Sequence, residues 1–126
     1  MKKIIATEKA PAAIGPYSQA NIAGNLVFTS GQLPIDPATG EFVPGGIKEQ
    51  TEQALKNLQA ILEEAGSGLD KVLKTTCYLS DINNFGPMNE VYATFFTEGS
   101  YPSRSAFEVA NLPKAGLVEI EAVAMI

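Results

Sequence analysis

Two hydrophobic periods alternate along the chain. From Ile47 to Ala65 the period is helical: Ile47, Ala54, Leu55, Leu58, Ile61, Leu62 and Ala65 share one stripe, with Lys48, Glu49, Glu52, Lys56 and Glu63 opposite. Gly66 follows as a C-terminal stop. A second stripe of Phe85, Met88, Val91, Tyr92, Phe95 and Phe96 predicts a helix over Phe85–Phe96, with Pro87 in the first turn, where a missing N–H is tolerated. Elsewhere the period is two. Short strands are expected at Lys3–Thr7, Tyr17–Ala23, Leu26–Leu33 and Lys71–Leu79, the second and third joined by a hairpin at Gly24-Asn25. In Lys71–Leu79 the apolar face is Leu73, Thr75, Cys77 and Leu79. Prolines and glycines make Glu8–Pro16 a connector and the stretch from Pro34 to Gly46 irregular.

The last quarter of the chain supplies two more strands. In the first, Arg104, Ala106 and Glu108 alternate with Ser105, Phe107 and Val109. In the second, Val118, Ile120, Ala122 and Ala124 alternate with Glu119, Glu121, Val123 and Met125. A loop over Ala110–Gly116 reads as joining the two as an antiparallel pair, with Arg104 and the glutamates together on the face turned away from the core. The order β-β-β-α-β-α-β-β gives an α+β fold with two helices on one face of a sheet. The other face is mixed rather than wet, which calls for a covering by another copy of the chain.

At 126 residues this is one domain, 1–126, able to bury a core. The net charge is −5 and the nine basic residues are scattered, so nothing offers a footprint for nucleic acid. A single cysteine, Cys77, excludes an internal disulfide, suits a reducing compartment and reads as core. The apolar run at Ile4–Ala6 is too short for a signal-peptide core and no stretch spans a bilayer, so the expectation is a cytoplasmic protein without membrane attachment. Histidine is absent, which removes the commonest general base, the Ser-His and Cys-His pairs and the usual zinc ligand.

What remains for chemistry is short. Arg104, the sole arginine, can grip a carboxylate through two parallel hydrogen bonds, or form a cross-strand ion pair with a glutamate. Glu119 and Glu121 can be a general base and its neighbour, with burial or like charge raising one pKa, or simply a hydrated sheet face with Lys3 or Lys114 as partners. Ser30 and Gly31 offer a hydroxyl and an accessible N–H, or only a strand end and turn. Tyr17 can place a phenol at a pocket rim or pack as an ordinary tyrosine. Asn89 either points from the second helix into a pocket or faces solvent.

The segments APAAIGPYSQA, VFTSGQLPIDPATGE, KTTCYLSDINNF, YPSRSAFEVANLPK and VEIEAVA, in that order across nearly the whole chain, closely resemble the Rid family of reactive-intermediate deaminases (YjgF-like proteins), and its RidA subgroup in particular. The resemblance implies a chorismate-mutase-like fold assembled as a homotrimer, sheets packed inward, with three sites between subunits. It implies cofactor- and metal-free hydrolysis of 2-iminopropanoate and 2-iminobutanoate, released by PLP-dependent dehydratases, to a 2-keto acid and ammonia. Carried over by motif, Arg104 clamps the substrate carboxylate and Glu119 positions or activates the attacking water. Tyr17, Ser30, Gly31 and Asn89 shape the pocket, and Glu121 is structural support. One position departs: the cysteine common two residues after the arginine is Ala106 here, which serves only if that position acts through its backbone. The alternatives are a non-catalytic trimer that binds 2-keto acids, and a translation-inhibiting or RNA-cleaving relative, against which the acidic balance and missing histidine count.

Overall fold

A computed structural model describes all of residues 1–126. The strands are β1 (Lys3–Ile5), β2 (Ala20–Ala23), β3 (Leu26–Thr29), β4 (Val72–Leu79), β5 (Ser103–Glu108) and β6 (Val118–Met125); the helices are α1 (Ile47–Glu64) and α2 (Phe85–Phe95). The six strands form one sheet in the order β1-β2-β3-β6-β4-β5. All neighbours are antiparallel except β4 and β5, which run parallel because α2 carries the chain back between them. No helix is long and apolar enough to cross a membrane.

The α1 stripe behaves as its spacing predicts. Leu55, Leu58, Ile61 and Leu62 are fully buried and share one core with Val27, Cys77, Leu79, Val118 and Ile120. The helix ends at Gly66, whose φ of +83° suits a residue without Cβ, and the Ser67 N–H donates back to the Leu62 carbonyl at 2.8 Å. Two polar residues on its inner side fasten loops rather than filling core. Asn57 donates to the carbonyls of Leu33 and Ile35 at 3.0 and 2.8 Å, and Gln50 accepts from the Leu117 N–H at 2.9 Å.

Three expectations are corrected. First, β5 and β6 are not paired, for β4 lies between them. With Val118, Ile120, Ala122 and Ala124 all buried, β6 suits the sheet centre, whereas the shorter, serine-bearing β5 takes the edge. Second, the parallel register sets Arg104 beside Thr75 and Ala106 beside Cys77, on the face covered by helices, while Glu119 and Glu121 point to the open face. Third, a bulge between Val72 and Lys74 breaks the alternation of β4: Val72 is buried and Leu73 is 44% exposed on the outside.

The open face carries Ile4, Phe28, Leu73, Phe107 and Met125, each between 42% and 59% exposed. A second irregularity falls where β3 ends. Phe28 faces Val123 and Gln32 faces Ile120, so four steps along one strand match three along the other and Ser30-Gly31 bulge outward beside Glu119. The β3 ladder therefore stops at Thr29 rather than running on to Leu33.

The connector before β2 is pinned by one side chain. Buried Gln19 accepts from the Thr7 N–H at 2.6 Å, and its amide donates to the carbonyls of Thr7, Ala10 and Pro11 at 3.1, 3.4 and 2.7 Å. Gln19→Ala leaves these backbone groups without partners and is expected to cost about 1–3 kcal/mol in urea unfolding. Amide exchange should quicken selectively over residues 7–18; uniform or unchanged exchange would contradict the pinning role.

Candidate functional site

The predicted site residues gather into two groups. The first surrounds a cavity of about 430 Å³ that includes Tyr17, Ser30, Gly31 and Glu119. Glu119 projects from β6 beside Tyr78 of β4, and its carboxyl has no ion-pair partner in the chain. Neither Lys3 nor Lys114 pairs with either glutamate, contrary to that expectation. Lys114 does line the same cavity, from a turn in which it adopts a φ of +56°. Burial first, and then the charge of Glu121, push the Glu119 carboxyl above the usual carboxylate range. A carboxylate so placed is a better base than one in water, and its oxygens are free to hold water.

Gly31 is what lets Glu119 lie there. A Cβ at residue 31 would stand 2.8 Å from both Cδ and Oε2 of Glu119. The Ser30 hydroxyl donates to the Ser18 carbonyl at 2.6 Å, and the Ser30 N–H donates to the Gln19 carbonyl at 2.9 Å. Those bonds tie the bulge to the segment carrying Tyr17, whose ring is half exposed at the rim. Ser30 is thus a brace whose oxygen can still accept a hydrogen bond.

The second group lies on the other side of the sheet, around a cavity of about 360 Å³ at α2 and the start of β5. The Arg104 guanidinium carbon is 5.2 Å from the Phe85 ring centre and 4.8 Å from that of Tyr92. One of its terminal nitrogens donates to Asn89 Oδ1 at 2.5 Å. The Tyr92 hydroxyl is itself fixed by Thr75 Oγ1 at 2.7 Å. Arg104 is therefore oriented by two aromatic rings and an amide, while Tyr101 and Pro102 border the space beyond it. Ala106 follows on β5, half-buried beside Cys77; because β5 is an edge strand, part of its backbone is unpaired within the chain.

Asn89 thus points into a pocket, and Cys77 is core, its thiol raised to about 11 chiefly by burial. Phe85 and Tyr92 were legible only as core. The spacing Phe85, Asn89, Tyr92 was the available signal, since it places an amide between two rings on one helix face.

Comparison with known proteins shows the family and the fold. The sequence model of the family described as endoribonuclease L-PSP matches residues 7–126. The chain belongs to the Rid (YjgF-like) family. A RutC family protein of Pyrococcus horikoshii is 60% identical, covering 98% of both chains. The mouse 2-iminobutanoate/2-iminopropanoate deaminase is 52% identical over 99% of this chain and 92% of its own. A Rid-family crystal structure from Yersinia pestis superposes with a TM-score of 0.96 at 47% identity, covering 100% of both chains. In this Rid chain the Arg104 group and the Glu119 group lie on opposite faces of the sheet.

Two outcomes follow for the Glu119 half. Gly31→Ala should leave the fold intact, because the clash is with a flexible carboxyl end, yet displace Glu119; the expected result is a stability change below about 1 kcal/mol with loss of most of the activity proposed below. For Glu119 itself, a carboxyl whose folded pKa is raised contributes stability below its unfolded pKa, and loses it as pH rises through the folded value. Glu119→Gln should therefore melt higher than the wild type at neutral pH, the gap closing as pH falls through the raised folded value and gone below roughly 4.3. A gap that does not change between pH 4 and pH 8 would contradict the raised pKa.

Proposed function

We propose that this chain is a 2-iminobutanoate/2-iminopropanoate deaminase, a cytoplasmic enzyme that hydrolyses small 2-imino acids at sites shared between subunits of a homotrimer. The observation that carries the reading is the division of the site. An Arg104 oriented by two rings and an amide and an ion-pair-free, pKa-raised Glu119 occupy opposite faces of one protomer's sheet. The open face beside Glu119 is apolar enough to need a cover. A second copy that brings its β5 edge to this face covers it and places its Arg104 opposite Glu119. Such a head-to-tail contact closes into a ring.

The chemistry then needs few parts. A protonated 2-imino acid is already electrophilic at C2, so no covalent nucleophile is called for. Arg104 takes the carboxylate, held in place by Asn89, Phe85 and Tyr92. Glu119 orients a water and accepts its proton as the oxygen bonds to C2 and the C=N π pair moves to nitrogen. Returned to that nitrogen, the proton lets the C–N bond break; the hydroxyl gives its proton to Glu119 as the C=O forms, and ammonia takes that proton away as ammonium. One water is consumed, and a 2-keto acid and ammonium result. Tyr17, Ser30, Gly31 and the Ala106 backbone shape the space around the substrate. Orientation of two bound reactants supplies much of the rate.

The test generates the imine in place with a threonine or serine dehydratase and lets semicarbazide compete for it. Wild-type protein should speed keto-acid formation over trapping, and Arg104→Ala and Glu119→Gln should each lose that effect. Co-refolding the two inactive variants in equal amounts should restore about one quarter of the activity, as expected for sites drawing one residue from each neighbour. No restoration would place both residues in one protomer's site; saturable 2-keto acid binding without turnover would favour the non-catalytic reading.

A further inference from the structure

On the open face a third group stands beside Glu119. The Tyr78 hydroxyl donates to Glu121 Oε1 at 3.0 Å. Tyr78 pairs with Glu119 across β4 and β6, and Thr76 pairs with Glu121, so the phenol reaches diagonally past Glu119 to the next carboxylate. The tyrosine cannot swing freely, because its ring meets Phe107 edge-on, with centres 5.4 Å apart and planes at 89°. Burial and the neighbouring carboxylates push the Tyr78 phenol up, so it remains a donor throughout the neutral range. The two glutamates are thus unequal: Glu121 has a charge-assisted donor, and Glu119 has none.

We propose that Glu121 is a positioning residue for imine hydrolysis, acting as the fixed negative neighbour of Glu119, and that Tyr78 holds it in that role. The inference rests on the deaminase reading. Glu121, tethered by the phenol, repels a charge on Glu119, so the proton shared during hydrolysis resides on Glu119 more readily. It is Glu119 that becomes the stronger base and the better proton donor to the departing nitrogen. The titratable groups facing Glu119 are Glu121 on its own strand, Tyr78 on β4, Tyr17 on the amino-terminal segment and Lys114 on the turn before β6. In the assembled site Arg104 of a second copy joins them, engaged by the substrate carboxylate. Only Glu121 is both negative and fixed.

Glu121→Gln is expected to move the acidic limb of the kcat/KM profile to lower pH and to reduce kcat at neutral pH by about tenfold, with KM little changed. Tyr78→Phe, which releases the Glu121 carboxylate from its tether, should lower the Glu119 midpoint in the same direction but by less. Glu121→Asp should restore part of the wild-type profile. A rate loss in Glu121→Gln with the acidic limb unmoved would overturn the proposal and leave Glu121 as a purely structural residue. Carbon NMR titration of the Glu119 carboxyl, in wild type and in each variant, gives a readout independent of turnover: its midpoint should fall in Glu121→Gln. If the wild type hydrolyses no imine, the deaminase reading fails, while this titration still decides whether Glu121 controls the charge on Glu119. Should Glu121→Gln not fold, Tyr78→Phe carries the same titration test with only a hydroxyl removed.

Discussion

In the central strand β6 every second side chain is buried under the helices, and the residues between them are forced outward. Val118, Ile120, Ala122 and Ala124 cannot hold the core unless Glu119 and Glu121 share the opposite face. A one-residue slip would bury two carboxylates and expose the apolar set, so the core itself enforces the placement of the candidate base. Burial, with the charge of Glu121, then raises the Glu119 carboxyl above the usual carboxylate range, the direction that a proton-transfer group requires. Packing and acid–base chemistry are thus two consequences of one alternation.

Arg104 is governed by the same rule through a different strand. Because α2 returns the chain parallel to β4, Arg104 falls level with buried Thr75 and turns toward the helices. An isolated arginine there would be poorly solvated, and the rings of Phe85 and Tyr92 compensate with their negative faces. Asn89 takes one terminal nitrogen and leaves the remaining donors for a ligand. Little side-chain freedom is then left to lose on binding, which favours a small ligand that offers few contacts of its own.

Much of this was legible in the chain, and the reasons for the exceptions are physical. Both helices and all six strands follow from hydrophobic period and from breakers such as Gly24, Gly66 and Pro87, because local pattern and tertiary burial agree there. Strand partnership was not legible: adjacency in sequence suggested a β5–β6 hairpin, but two strands with matching patterns carry no mark of a third that will lie between them. That single error moved Arg104 to the wrong face. Leu73 misled for a related reason, since a bulge resets the alternation without any glycine or proline to announce it. Asn57, Gln50 and Gln19 were likewise invisible as loop anchors, for a buried amide looks like any other polar residue until its backbone partners are known.

The separation of Arg104 from Glu119 also bears on why assembly and activity would be inseparable in such a chain. A protomer with both residues on one face would pair them, and a guanidinium beside a carboxylate lowers the carboxylate's pKa and occupies the donors meant for substrate. Keeping them on opposite faces leaves the Glu119 carboxyl and the Arg104 guanidinium without an ion pair between them. In the proposed assembly they would meet only across a subunit contact, where the substrate's own carboxylate would stand between them and answer the arginine. The apolar side chains of Phe28, Phe107 and Met125, left exposed in one chain, would favour that same proposed association.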